Sequence, residues 1–127
     1  MDRRGRNYSS EDEPLYTRGV ASRLARISME LIRQCEQESL IQLRVMRGGG
    51  RGLSRRDIRR LARIRRLRHD LELDMPAIEI VLRMRQRMID QMRQLDEMEK
   101  IMARREEELM AEIRNLQRRL SEEVRWE

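Results

Sequence analysis

The sequence predicts an all-α chain with one small β-hairpin, in which short helices form a head and a single long helix follows as a coiled coil. Three observations carry that expectation. Aromatic residues are only 2% of the chain (no Phe, with Tyr8, Tyr16 and Trp126 the three present) while 41% is charged, too little bulk for a thick globular core. One glycine run, Gly48-Gly49-Gly50, interrupts otherwise helical patterning. From Ala77 to Val124 there is neither Gly nor Pro, and apolar residues recur in steps of three and four.

Taken in order, residues 1–14 carry no apolar period and end in Pro14, so they read as a disordered arm in which Arg3–Arg6 are solvated. The head is expected over 15–73. Val20, Leu24 and Ile27 form one helical stripe and Leu31, Ile32 and Cys35 a second, with Thr17 and Ser28 placed as N-caps. Two short helices a few residues apart make a helix-turn-helix arrangement. Segments around Leu43–Met46 and Arg51–Leu53 flank the glycine run and predict a hairpin, because glycine reaches the positive φ a tight tip needs. Ser54-Arg55-Arg56-Asp57 opens a third helix as a capping box, with Ile58, Leu61, Ile64 and Leu67 facing inward and ending near His69–Leu73.

Asp74 then caps the last helix, with Pro76 tolerated in its first turn, and 74–127 is expected as the dimerising segment. Its seam begins at Val81 and Met84 and continues through Met88, Met92, Leu95, Met98, Met102, Leu109, Ile113, Leu116 and Leu120. Arg105 and Glu106 leave one gap in that near-heptad pattern. A helix on the order of 70 Å long needs its stripe buried to be stable in water, so a homodimer follows.

Charge narrows the function classes. Residues 1–70 hold 18 Arg against 9 acids, whereas residues 71–127 hold 11 Lys/Arg against 14 acids. From Arg44 to Arg68 there are eleven Arg and one acid, Asp57. Such clustering suits a polyanion. A lone Cys35 offers no disulfide framework or multi-cysteine metal site, and His69 is the only histidine. No enzyme, cofactor or metal is therefore expected. No apolar run approaches the roughly 18 residues of a membrane span, and the first residues lack the apolar stretch of a signal peptide.

In this order, YTRGVASRLARISMELIRQCEQESLI and LSRRDIRRLARIRRLRHDLELDMPAIEIVL resemble the MerR family of bacterial regulators over about residues 15–90. The likeness is closest to its heat-shock-repressor (HspR-like) and chaperone-modulator (CbpM-like) branches. It implies a winged helix-turn-helix head, a dimer with an antiparallel coil, and a bacterial cytoplasmic protein bound to double-stranded DNA. It further implies that Ser28, Glu30 and Arg33 lie on the recognition helix, with Gln34 and Gln37 as further base-reading candidates. Arg47 and Arg51 would sit in the wing, and Arg55 and Arg56 beside phosphate at the start of the next helix. The chain departs from the family pattern where Arg26 and Ser39 replace glycines, Met29 a proline or its neighbour, Gln34-Cys35 an aromatic pair, and Leu53 the wing aromatic.

Three functional readings compete. The first is a dimeric DNA-binding regulator, whose targets the resemblance suggests are heat-shock or chaperone genes. The second is a modulator that binds the J-domain of a DnaJ-like co-chaperone through Glu72, Asp74 and Glu79. The third is a structural coiled-coil dimer. The basic wing and following helix favour the first, since a pure protein binder has no need of them.

Overall fold

A computed structural model of the chain describes residues 9–126. Among them lie α1 (Arg18–Ala25), α2 (Met29–Gln37), β1 (Arg44–Val45), β2 (Arg51–Gly52), α3 (Arg55–His69) and α4 (Met75–Trp126). The chain divides into two compact units, the first ending at Val81 and the second starting at Leu82. The first two turns of α4 therefore belong to the head, eight residues beyond the boundary expected from Asp74. Residues 1–8 of the expected arm, with Arg3–Arg6, lie outside the described residues.

Every helix start uses the local chemistry its sequence offers. The Thr17 hydroxyl accepts from the Val20 amide at 3.3 Å, and Ser28 from the Leu31 amide at 3.1 Å. At Ser54 the box closes both ways: the hydroxyl accepts from the Asp57 amide at 3.1 Å, while the Asp57 carboxylate accepts from the Ser54 amide at 2.9 Å. Asp74 accepts from the Ala77 amide at 3.0 Å. Each bond satisfies an amide that a helix N-terminus leaves unpaired.

The core of the head is aliphatic. Ala21, Ala25, Ile27, Leu31, Ile32, Cys35, Leu40, Ile41, Leu53, Leu61, Ile64 and Ile78 are buried. One expected stripe is rotated: Leu24 is 55% exposed, and α1 instead turns Ala21 and Ala25 inward, where it packs on α2 and α3. Two alanines one turn apart let neighbouring helices approach closely, which the bulk of Leu24 would prevent. Ile58 and Leu67 of α3 are half-buried, so its buried face is narrower than the four-residue stripe suggested.

The hairpin pairs Arg44 with Gly52 and Val45 with Arg51, antiparallel. Its tip is closed by Met46, whose amide donates to the Gly50 carbonyl at 2.9 Å and whose carbonyl accepts from Gly49 at 3.1 Å. Gly49 and Gly50 sit at φ +95° and +73°, which accounts for two of the three glycines. Leu53 also bridges to Tyr16: its amide donates to the Tyr16 carbonyl at 2.7 Å, and its carbonyl accepts from Leu15 and Tyr16 at 3.0 Å each. A Cβ at Gly52 would lie 2.7 Å from that same Tyr16 carbonyl. Only glycine fits there.

Both short helices end on a left-handed residue. Arg26 (φ +55°) follows α1, with the Ile27 amide donating to Ser22 at 3.0 Å. Ser39 (φ +59°) follows α2, with Leu40 donating to Cys35 at 2.8 Å and Ser39 to Glu36 at 3.1 Å. These are the bonds of a Schellman closure, whose left-handed position normally holds glycine. They are also the two positions where the family resemblance has glycine.

In the second unit α4 continues unbroken, without an internal breaker, to Trp126. Met88, Met92, Leu95, Met98, Met102, Leu109, Ile113, Leu116 and Leu120 are all exposed, as are Ile101, Met110 and Val124. No helix among the described residues is long and apolar enough to cross a membrane.

Candidate nucleic-acid interface

The expected contact residues come from three local structures. Ser28 caps α2, so its hydroxyl is engaged with the Leu31 amide. Glu30, Arg33 and Gln37 lie on the outer side of α2, where Arg33 and Gln37 are exposed and Gln34 is half-buried. Leu31, Ile32 and Cys35 hold the opposite face in the core, so helical geometry alone turns Arg33 and Gln37 outward. A bidentate pair from Arg18 of α1, at 2.7 and 3.1 Å, ties the Glu36 carboxylate and fixes α2 against its neighbour. Glu36 also holds the Arg18 pKa above its ordinary value, chiefly by accepting that hydrogen bond.

In the wing, Arg51 is exposed on β2 and Arg47 stands at the tip turn, its guanidinium 3.0 Å from Glu13. At the start of α3, Arg55 is exposed and donates a long bond, 3.5 Å, to the Tyr16 hydroxyl. Arg56 pairs with Asp12 at 3.2 Å. Arg59, one turn further on, pairs with Glu11. The consecutive acids Glu11, Asp12 and Glu13 thus reach Arg59, Arg56 and Arg47 in turn. Consecutive Cα atoms are about 3.8 Å apart, so the three guanidinium groups must converge on one small surface. The wing tip and the N-terminal end of α3 form one basic patch.

Two parts of this patch escape a reading of the sequence. Arg59 reads there as one more arginine on a solvated face. Residues 9–14 read as part of a disordered arm, yet they form a turn anchored by Pro14, which is buried, and by the Arg56 amide, which donates to the Glu11 carbonyl at 3.1 Å. The one signal that points to this turn is the Glu-Asp-Glu run itself, an acidic triplet just before a strongly basic head.

Cys35 is fully buried, and desolvation pushes its thiol up to about 11. It therefore stays protonated near neutral pH and behaves as a small apolar residue. Among the described residues no cluster of His, Cys, Asp or Glu could hold a metal ion.

The model of a family described as MerR HTH family regulatory protein matches residues 20–103, well over half of the chain. The match runs through both short helices, the wing, α3 and into the second unit. Among curated proteins there is no match.

Proposed function

The chain belongs to the MerR family of helix-turn-helix regulatory proteins, and on that premise we propose that it is a cytoplasmic, homodimeric, DNA-binding transcriptional regulator with no catalytic activity of its own. The convergence of the wing arginine Arg47 with Arg56 and Arg59 of α3 is the observation that carries this reading. The α2 residues Glu30, Arg33, Gln34 and Gln37 would address base edges in a major groove, while Arg47, Arg51, Arg55 and Arg56 take phosphates. The second copy would bury the stripe from Met88 to Leu120, since an exposed apolar helix of this length is not self-sufficient in water. A dimer reads two half-sites, so a pseudo-palindromic operator is expected.

A salt titration of binding to random-sequence duplex DNA tests the proposal. Each phosphate contact contributes a slope of about −0.9 in log K against log salt, so six contacts in a dimer cost on the order of a thousandfold between about 50 and 200 mM. Arg51→Ala should weaken binding to all sequences alike and make the slope shallower by about one to two. Salt-insensitive or absent binding would remove the reading.

A J-domain modulator is the second reading, and one feature favours it. Leu71, 63% exposed, lies between Asp70 and Glu72 in the α3–α4 loop, an apolar residue flanked by acids. Under that reading DNA binding is weak and sequence-blind, and substitution of Glu72, Asp74 or Glu79 abolishes binding to a J-domain.

A further inference from the structure

The acidic turn covers arginines that the DNA-binding reading assigns to phosphate. Glu11 pairs with Arg59, Asp12 with Arg56 and Glu13 with Arg47. The turn takes more than side chains. The Arg56 amide, in the first turn of α3, donates to the Glu11 carbonyl at 3.1 Å. First-turn amides have no partner within their own helix and are the groups that bind phosphate at helix N-termini.

The turn is held in place from both sides. The Asp12 and Glu13 amides donate to the Ser9 carbonyl at 2.9 and 3.2 Å, and the Ser9 hydroxyl donates to Asp12 at 2.8 Å. Downstream, buried Pro14 leads directly into the Leu15–Tyr16 pairing with Leu53. A merely solvated acidic run would need neither anchor.

We propose that residues 11–13 are an intramolecular stand-in for a DNA phosphate strand, competing with duplex DNA for an anion site built from Arg47, Arg56, Arg59 and the Arg56 amide. The inference rests on the DNA-binding reading. It adds Arg59 as a phosphate contact and makes displacement of the turn a step in binding. Each exposed pair contributes a factor of about 1.5 to 5, so a cover of three holds affinity down on the order of tenfold, yet remains displaceable by a polyanion.

The test uses the full chain and a random-sequence duplex between about 50 and 200 mM salt. Two variants uncover the site: E11Q/D12N/E13Q, and E11Q/E13Q, which keeps Asp12 and its bond to Ser9. Both should bind on the order of tenfold tighter than the unsubstituted chain at low salt, with a slope steeper by about 0.9 for each additional phosphate neutralised. E38Q/D70N, which removes two exposed acids elsewhere in the head, should bind less tightly than either. Arg59→Ala should weaken the E11Q/E13Q chain more than it weakens the unsubstituted one, because in the unsubstituted chain the lost phosphate contact is partly offset by loss of the Glu11 pair that DNA would have to displace. Equal effects of Arg59→Ala in both backgrounds, or unchanged affinity on uncovering while the unsubstituted chain binds with steep salt dependence, overturn the competition and leave the DNA reading standing. If no chain binds DNA in a salt-dependent way, the DNA reading fails and the competition fails with it.

Discussion

The two units of this chain treat their apolar residues in opposite ways. The head encloses an aliphatic core in which Ile32, Leu53, Leu61, Ile64 and Ile78 are fully buried, with Leu24 and Leu71 among the residues left outside it. The helix beyond Leu82 has a comparable supply and leaves it in solvent, with Met92 63% and Leu120 63% exposed. Both follow from the geometry of helices. Three helices, a hairpin and the first two turns of α4 can enclose a small core among themselves, whereas a single helix has no second surface to close against. The head is thus specified by contacts within one chain, and the following helix, under the proposed dimer, by contacts with a second copy. Two substitutions of different kind should make that contrast measurable.

The largest effect belongs to the exposed stripe. Leu95→Asp puts a charge where a partner helix would pack, which costs the leucine's burial, about 1.5–3 kcal/mol per chain, plus several more for desolvating an unpaired carboxylate. Sedimentation at micromolar concentration should show the unsubstituted chain near twice 15.5 kDa and the variant near 15.5 kDa. Amide exchange in α4 beyond Leu82 should accelerate, while that of α3 stays slow. A monomeric unsubstituted chain, or protection of α4 that survives the substitution, would break the contrast. Glu97→Ala, away from the seam, should leave the mass unchanged.

Gly52→Ala probes the head instead. Its new methyl group would sit 2.5 Å from the Met46 sulfur and 2.7 Å from the Tyr16 carbonyl oxygen. Met46 can swing aside, but the Tyr16 backbone is fixed by its own pairing with Leu53, so the cost should be about 1–3 kcal/mol. Faster exchange of the Leu53 amide, which donates to Tyr16, should accompany a lower Tm at fixed protein concentration, with the sedimenting mass unaltered. A change of mass would mean that the head's core and the helix's association are coupled rather than independent.

What the sequence makes legible follows the range of the interaction. The caps at Thr17, Ser28, Ser54 and Asp74 can be read because a capping bond spans three residues and depends on the side chain at one position. The hairpin can be read because its tip needs glycine. The outward placement of Arg33 and Gln37 follows from the spacing of Leu31, Ile32 and Cys35. The rotation of α1 does not, since Leu24 and Ala21 are both acceptable inward residues, and only packing against α2 and α3 decides between them. Nor does the acidic cover, which joins residues 34 to 48 positions apart through side chains that sequence patterning treats as solvated.

The smallest effect concerns the two left-handed residues that close α1 and α2, and it sharpens the contrast by acting on the head alone. Arg26 at φ +55° and Ser39 at φ +59° each close a helix with the bonds of a glycine-type cap. A residue with a Cβ costs about 1–2 kcal/mol in that conformation. Glycine removes the cost but gives back roughly 0.4–1 kcal/mol through its freer unfolded chain. Arg26→Gly and Ser39→Gly should therefore each stabilise the head by about 0.5–1 kcal/mol, seen as a rise of a few degrees in Tm at fixed concentration. Both side chains are exposed, and the bonds that define the two closures run through backbone atoms that glycine keeps. The two effects should add, because the closures share no hydrogen-bond partner. Arg26→Ala separates the conformational effect from loss of the side chain: alanine keeps the Cβ and should give no stabilisation. Equal stabilisation by Ala and Gly at position 26 would place the cost in the arginine's charge among its basic neighbours rather than in its backbone.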